Sequence, residues 1–88
     1  MKEIVYIYRY NSNIMTEPEE LATIIRMHRK AAKLSQLQLA DLAGVGKTVV
    51  FDIEKGKETV KLKTLLKILK VLNIEMQLTS PLLGNQMQ

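Results

Sequence analysis

Hydrophobic residues recur along this chain with two different periods, and each change of period marks the edge of an element. Residues 4–10, Ile-Val-Tyr-Ile-Tyr-Arg-Tyr, are almost all β-branched or aromatic, a composition suited to a pleated strand. Asn11, Ser12 and Asn13 then break it. Thr16 followed by Glu17, Pro18 and Glu19 has capping-box spacing, with carboxylates at the positive end of a helix dipole. A first helix is predicted from Thr16 to about Lys33, with Leu21, Ile25, His28 and Ala32 facing inward and Ile24 and Met27 partly off that stripe.

A second helix starts at Ser35, whose hydroxyl can accept from the Gln38 amide while the Gln38 side chain reaches back. Leu37, Leu39, Ala40, Leu42 and Ala43 supply its buried stripe, Gly44 ends it in a left-handed conformation, and Val45 packs the turn. Gly46 then caps a third helix whose Val50 and Ile53 face inward, which leaves Lys47, Thr48, Phe51, Asp52 and Lys55 outward until Gly56 closes it. A polar link through Glu58, Thr59 and Val60 leads to a further helical face over residues 62–72, with Asn73 as its C-terminal cap. Ile74, Met76 and Leu78 alternate with Glu75, Gln77 and Thr79, a half-buried strand that Pro81 stops.

The organisation that results is a strand arm over residues 1–15, a domain of four or five helices over 16–73, a strand over 74–80 and a loose tail over 81–88. A lone strand exposes unpaired amides and carbonyls, so the one after Asn73 needs a partner. Residues 4–10 of the same chain and a strand of a second subunit both meet that need.

Two short helices joined by so tight a turn are the arrangement by which many proteins read DNA. Residues 34–56 resemble the helix-turn-helix of the Xre/Cro family of bacterial and phage repressors, through Ser35-Gln36, Leu39-Ala40, Ala43-Gly44-Val45 and Glu54-Lys55-Gly56. The resemblance extends from about Leu21 to Leu72 and implies a mainly α, lambda-repressor-like bundle. With Leu72-Asn73-Ile74-Glu75-Met76-Gln77-Leu78 following, the chain is also similar to HipB-type antitoxin repressors, although the N-terminal strand departs from the simplest form of that family. That similarity implies a homodimer held by Ile74, Met76 and Leu78, with a HipA-like kinase toxin as a partner.

Composition fits this reading. At 88 residues the chain can build one modest core and no second one, and dimerisation would add stability. The absence of cysteine excludes a disulfide framework, a thiolate zinc site and a cysteine nucleophile, and makes a reducing cytoplasm, here nucleoid-associated, the plainest compartment. The first ten residues alternate and carry Glu3 and Arg9, unlike the apolar run of a secretory leader, and no stretch reaches membrane-spanning length. The formal charge of +4 conceals a concentration: from Arg26 to Lys70 there are eleven basic residues against four acidic ones. Lysines often do no more than solvate helix faces, but so dense a group fits a polyanion such as double-stranded DNA.

Candidate roles follow. Lys47 and Thr48, at the start of the third helix, are placed to enter the major groove, Lys47 donating to guanine O6 and N7 and Thr48 meeting a thymine methyl or a base edge. Asp52 either accepts from cytosine N4 or orients Lys47 or Lys55, and Val49 either meets a thymine methyl or packs beside Val50. For Phe51, covering the edge of the core is favoured over touching a sugar face. Gln36 in the first turn of the second helix, with Lys57, Lys61 and Lys63 around the next helix start, would hold phosphates, and Arg26 and Lys33 are weaker candidates. Arg29 is different: the Xre resemblance implies that it pairs with Glu54 as a structural clamp.

Enzyme chemistry finds little footing. His28 is the only histidine and falls on the inward stripe, where a packing role outweighs that of a general base, and no metal or other cofactor is expected. Gly44-Val45-Gly46-Lys47-Thr48 has a phosphate-loop flavour, but Asp41 stands where the first glycine belongs and no apolar strand precedes it. The five methionines are scattered and outline no groove. The expected function is therefore a sequence-specific DNA-binding repressor, dimeric on a palindromic operator, serving as antitoxin and autorepressor beside a kinase toxin. Two alternatives are a phage-type repressor without a toxin and a protein-interaction module whose sticky surface is Ile24, Met27 and the strand ends.

Overall fold

A computed structural model of the chain describes residues 3–4 and 17–77. Its elements run β1 (Glu3–Ile4), α1 (Pro18–Ala31), α2 (Gln36–Ala43), α3 (Lys47–Glu54), α4 (Leu62–Val71) and β2 (Ile74–Glu75). Among the described residues there are thus four helices, and the helix-turn-helix is α2 and α3.

The N-cap of α1 falls one residue after the expected cap, Thr16, which lies outside the described residues. Glu17 is extended at the N-cap without a side-chain cap bond, and Pro18 follows at a position whose missing N–H would have had no intrahelical partner. Glu19 and Glu20 stand in the first turn and His28, Arg29 and Lys30 in the last, each favourable to the helix dipole. Ser35 and Gln38 form the reciprocal capping box of α2, the Gln38 amide donating to Ser35 Oγ at 3.0 Å and the Ser35 amide to Gln38 Oε1 at 2.8 Å.

Each helix is followed by a residue in the left-handed region: Lys33 (φ 60°), Gly44 (φ 70°), Gly56 (φ 87°) and Asn73 (φ 60°). The two glycines and the asparagine suit this conformation, whereas Lys33 is there against its intrinsic preference. Around it the Lys33 amide donates to the Lys30 carbonyl and the Leu34 amide to the Arg29 carbonyl, the paired bonds that close a helix and turn the chain sharply.

α2 packs on α3 and α4, and α1 on α3. Ile25, Leu39, Val50 and Ile68, one from each helix, are the largest fully buried side chains and mark the centre of the core. The inward stripe of α1 differs from expectation: Ala22, Ile24 and Ile25 are buried, His28 is half-buried and Ala32 is exposed. Ile24 faces inward because α1 turns its Ala22–Ile25–Arg29 line toward α3, so of the two residues expected partly off the stripe Met27 alone stays in solvent. In α2, Leu37 and Leu42 are exposed, since a helix of eight residues seated between two neighbours buries only the Leu39–Ala40 side. Leu62 and Leu66 of α4 also face outward.

The two short strands pair in parallel within one chain, Glu3 beside Ile74 and Ile4 beside Glu75. The expected strand over residues 4–10 otherwise lies outside the described residues, as do Leu78, Thr79 and the tail. Ile74 is buried in the chain's own core, so of the three residues expected to hold a dimer it faces inward while Met76 is exposed.

Candidate nucleic-acid interface

The seat of α3 is set by one buried ion pair. Glu54, the last residue of α3, accepts from Arg29 of α1 through both oxygens, Nε to Oε2 at 2.6 Å and Nη2 to Oε1 at 2.9 Å. Arg29 Nη1 donates to the Leu34 carbonyl at 2.8 Å, and Gln36 Nε2 of α2 donates to Glu54 Oε1 at 3.1 Å. A forked guanidinium suits this task because its donors are fixed in one plane. The cluster joins α1, the α1–α2 turn, α2 and α3, and no buried side-chain nitrogen or oxygen among the described residues lacks a partner. Burial is the largest influence on Glu54 and opposes its charge, but the hydrogen bonds from Arg29 and Gln36 and the charges of Arg29 and Arg26 together hold its carboxyl below the ordinary value. The hydrogen bond to Glu54 outweighs burial at Arg29 and raises the guanidinium above its own.

With its inner face fixed by Val50, Ile53 and Glu54, α3 turns the rest of its surface to solvent. Gly46, extended at the N-cap and without a side chain, opens the approach to Lys47 and Thr48, which are both exposed on the first turn. Asp52 neither faces Lys47 nor pairs with Lys55; its carboxylate lies 3.6 Å from Lys57 Nζ beyond the end of the helix. Helical periodicity cannot anticipate that partner, because Gly56 folds Lys57 back toward Asp52, whose carbonyl also accepts the Lys57 amide at 3.1 Å. Lys55 instead rests its ammonium 5.0 Å from the centre of the Phe51 ring.

Val49 is half-buried against the core and lines a groove with Ile53 and Val60 between α3 and α4, with Lys57 and Lys61 at its edge. Phe51 is 46 % exposed, more outward than the core-covering role favoured for it. Lys61 is the N-cap of α4, and Lys57, Lys61 and Lys63 are all exposed. Gln36 is half-buried, its amide nitrogen turned toward Glu54, so it belongs to the clamp as well as to the first turn of α2. Sequence reasoning did not find that bond, nor the part played by the Leu34 carbonyl, since both partners converge only in three dimensions.

His28 Nδ1 lies 2.8 Å from the Ile24 carbonyl oxygen and therefore donates to it. No group of acidic, histidine or cysteine side chains among the described residues is gathered to hold a metal ion. None of the described helices is long and apolar enough to cross a membrane.

Known proteins share both the sequence motif and this architecture. The Helix-turn-helix family model matches residues 25–78. An uncharacterized HTH-type transcriptional regulator, y4mF, of Sinorhizobium fredii is 33% identical over 64 residues, 73% of this chain and 84% of that protein. The restriction-modification controller protein C.AhdI of Aeromonas hydrophila superposes with a TM-score of 0.61 at 34% identity, over 66% of this chain and 88% of its own. HipB in a HipA–HipB–O2–O3 complex superposes with a TM-score of 0.69 at 25% identity, over 76% of this chain and 94% of its own. The chain belongs to the Xre-like helix-turn-helix family of transcriptional regulators.

Proposed function

We propose that this regulator is a sequence-specific repressor that binds as a dimer to a roughly palindromic operator. The carrying observation is the exposure of Lys47 and Thr48 on the first turn of a helix whose opposite side is clamped in place. Lys47 donates to guanine O6 and N7, and Thr48 meets a thymine methyl or base edge. Gln36, Lys57, Lys61 and Lys63 follow the phosphates, which position the domain without selecting sequence. Asp52 serves by holding Lys57 toward the backbone, with cytosine N4 as its other acceptor role. A two-fold axis sets the recognition helices about one turn, roughly 34 Å, apart. Exposed Met76, with Leu78, would contribute to the contact between subunits.

The setting is that of a cytoplasmic, nucleoid-associated antitoxin and autorepressor, supported by the likeness to HipB over most of both chains. The partner would then be a kinase toxin resembling HipA. The higher identity to C.AhdI supports a second reading, an operon controller with no toxin. A kinase that co-purifies with the chain favours the first, and its absence with operator binding intact favours the second. An interaction module without DNA binding is less well supported, because Ile24 of its expected surface is buried.

Selection from random duplexes at several salt concentrations tests the central reading. The wild-type chain should enrich one motif, and Lys47→Ala with Thr48→Ala should abolish that enrichment while leaving residual, salt-sensitive binding. Each phosphate-holding lysine replaced by alanine should lower the log–log salt slope of the dimer by about 1.8, about 0.9 from each subunit. If the double variant enriches the same motif as the wild type, α3 does not read the bases.

A further inference from the structure

Among the residues of α3, Phe51 is the one large apolar side chain left in solvent, at 46 % exposure, although Val50 and Ile53 already complete the inner face. Lys47 and Thr48 stand one turn before it and Lys55 one turn after, the spacings at which side chains on a helix adjoin. The Lys55 ammonium lies 5.0 Å from its ring centre, a cation–π contact that favours the ring's outward position. Val49, which with Thr48 the sequence offers for contact with a thymine methyl, is turned into the groove toward α4.

A phenyl ring has no donor or acceptor, so pressing it onto the N7, O6, O4 or amino edges of bases would strip them of water without recompense. The apolar group that the major groove presents is the methyl at pyrimidine C5. Building on the reading of α3 as the helix that enters that groove, we propose that Phe51 selects sequence by covering the 5-methyl group of a pyrimidine, with Lys55 holding the ring in place. Thymine and 5-methylcytosine both carry this methyl.

The test replaces each thymine of the selected duplex singly by deoxyuridine, which removes only the methyl. At one position in each half-site the wild-type chain should lose roughly three- to fivefold in affinity, the scale of one buried methyl. Phe51→Ala, which loses the contact in both half-sites, should bind the thymine and deoxyuridine duplexes equally, near the wild-type affinity for a duplex with deoxyuridine at that position in both half-sites, and Phe51→Leu should retain an intermediate preference. Cytosine and 5-methylcytosine at that position then separate the two sources: tighter binding of the methylated base identifies the methyl alone as the recognised group, whereas equal binding identifies thymine. Circular dichroism melting should show both variants folded, and Phe51→Leu decides if the alanine variant is not. The proposal is overturned if Phe51→Ala keeps the full thymine preference, weakens all duplexes equally, or changes the oligomeric state instead. Failure of the wild-type chain to select any duplex would remove the DNA-reading role of α3 altogether, and is distinct from those results.

Discussion

Glu54 ties α3 to α1 and α2, because three donors from those two helices converge on it in a nearly dry place. Removing either partner leaves a buried charge unmatched, so Arg29→Ala or Glu54→Ala should each lower the unfolding free energy by about 3–5 kcal/mol in urea titrations. Arg29→Met with Glu54→Leu should recover part of the loss, since two apolar groups leave no charge stranded. The sign with pH is fixed by the lowered Glu54 carboxyl. Its contribution is complete above the ordinary glutamate value, about 4.3, and is lost as pH falls through the lower folded value. The stability gap between wild type and Glu54→Gln should therefore narrow below about pH 4, and a gap constant from pH 7 to 3 would show that the pair contributes no linkage. Ser35→Ala, by contrast, removes an exposed cap and should cost about 1 kcal/mol.

At the scale of elements, helix ends decide where α2 and α3 lie relative to α1. Gly44 and Lys33 adopt the same left-handed turn, one with the residue best suited to it and one without. A Cβ at Gly44 would meet no atom within 4 Å, so the cost of Gly44→Ala is conformational alone, about 1 kcal/mol. Lys33→Gly should move the other way, raising stability by roughly 0.5–1 kcal/mol, because relief of the left-handed strain exceeds the added freedom of the unfolded chain. Thermal melts of the two variants should shift in opposite directions; a fall with Lys33→Gly would mean that the lysine stem contributes packing that outweighs its backbone strain.

For the molecule as a whole, one small core supports everything described. Ile68 and Leu39 are wholly buried in it, and truncating either to alanine should cost about 2–5 kcal/mol, a large share of what so short a domain possesses. Such variants should lose operator binding only by unfolding, recoverable on cooling or with an uncharged osmolyte such as sucrose. Surface changes should behave otherwise. Met76→Asp should leave the monomer folded yet raise the concentration needed for a dimer in sedimentation runs, and weaken operator binding in step. An unchanged dimer would assign the subunit contact to another surface, for which exposed Leu62 and Leu66 of α4 are the next residues to alter.

Most local features were legible in order along the chain, the left-handed turn at Lys33 being an exception. The Ser35–Gln38 box, the glycines at 44 and 56, the outward Lys47 and Thr48 and the inward Val50 and Ile53 each depend on neighbours within one or two turns, and sequence spacing specifies such neighbours directly. The Arg29–Glu54 pairing was reachable only through family resemblance, since its partners are twenty-five residues apart. Tertiary packing alone decided which side of α1 and α2 is buried, why Leu37 and Leu42 remain in water, that Ile74 enters the core beside a parallel β1, and that Val49 turns into the groove beside α4. An amphipathic period locates a stripe only to within about one residue in each turn. Which edge of the stripe is covered depends on the neighbouring helix that arrives there, and that is a property of the assembled bundle.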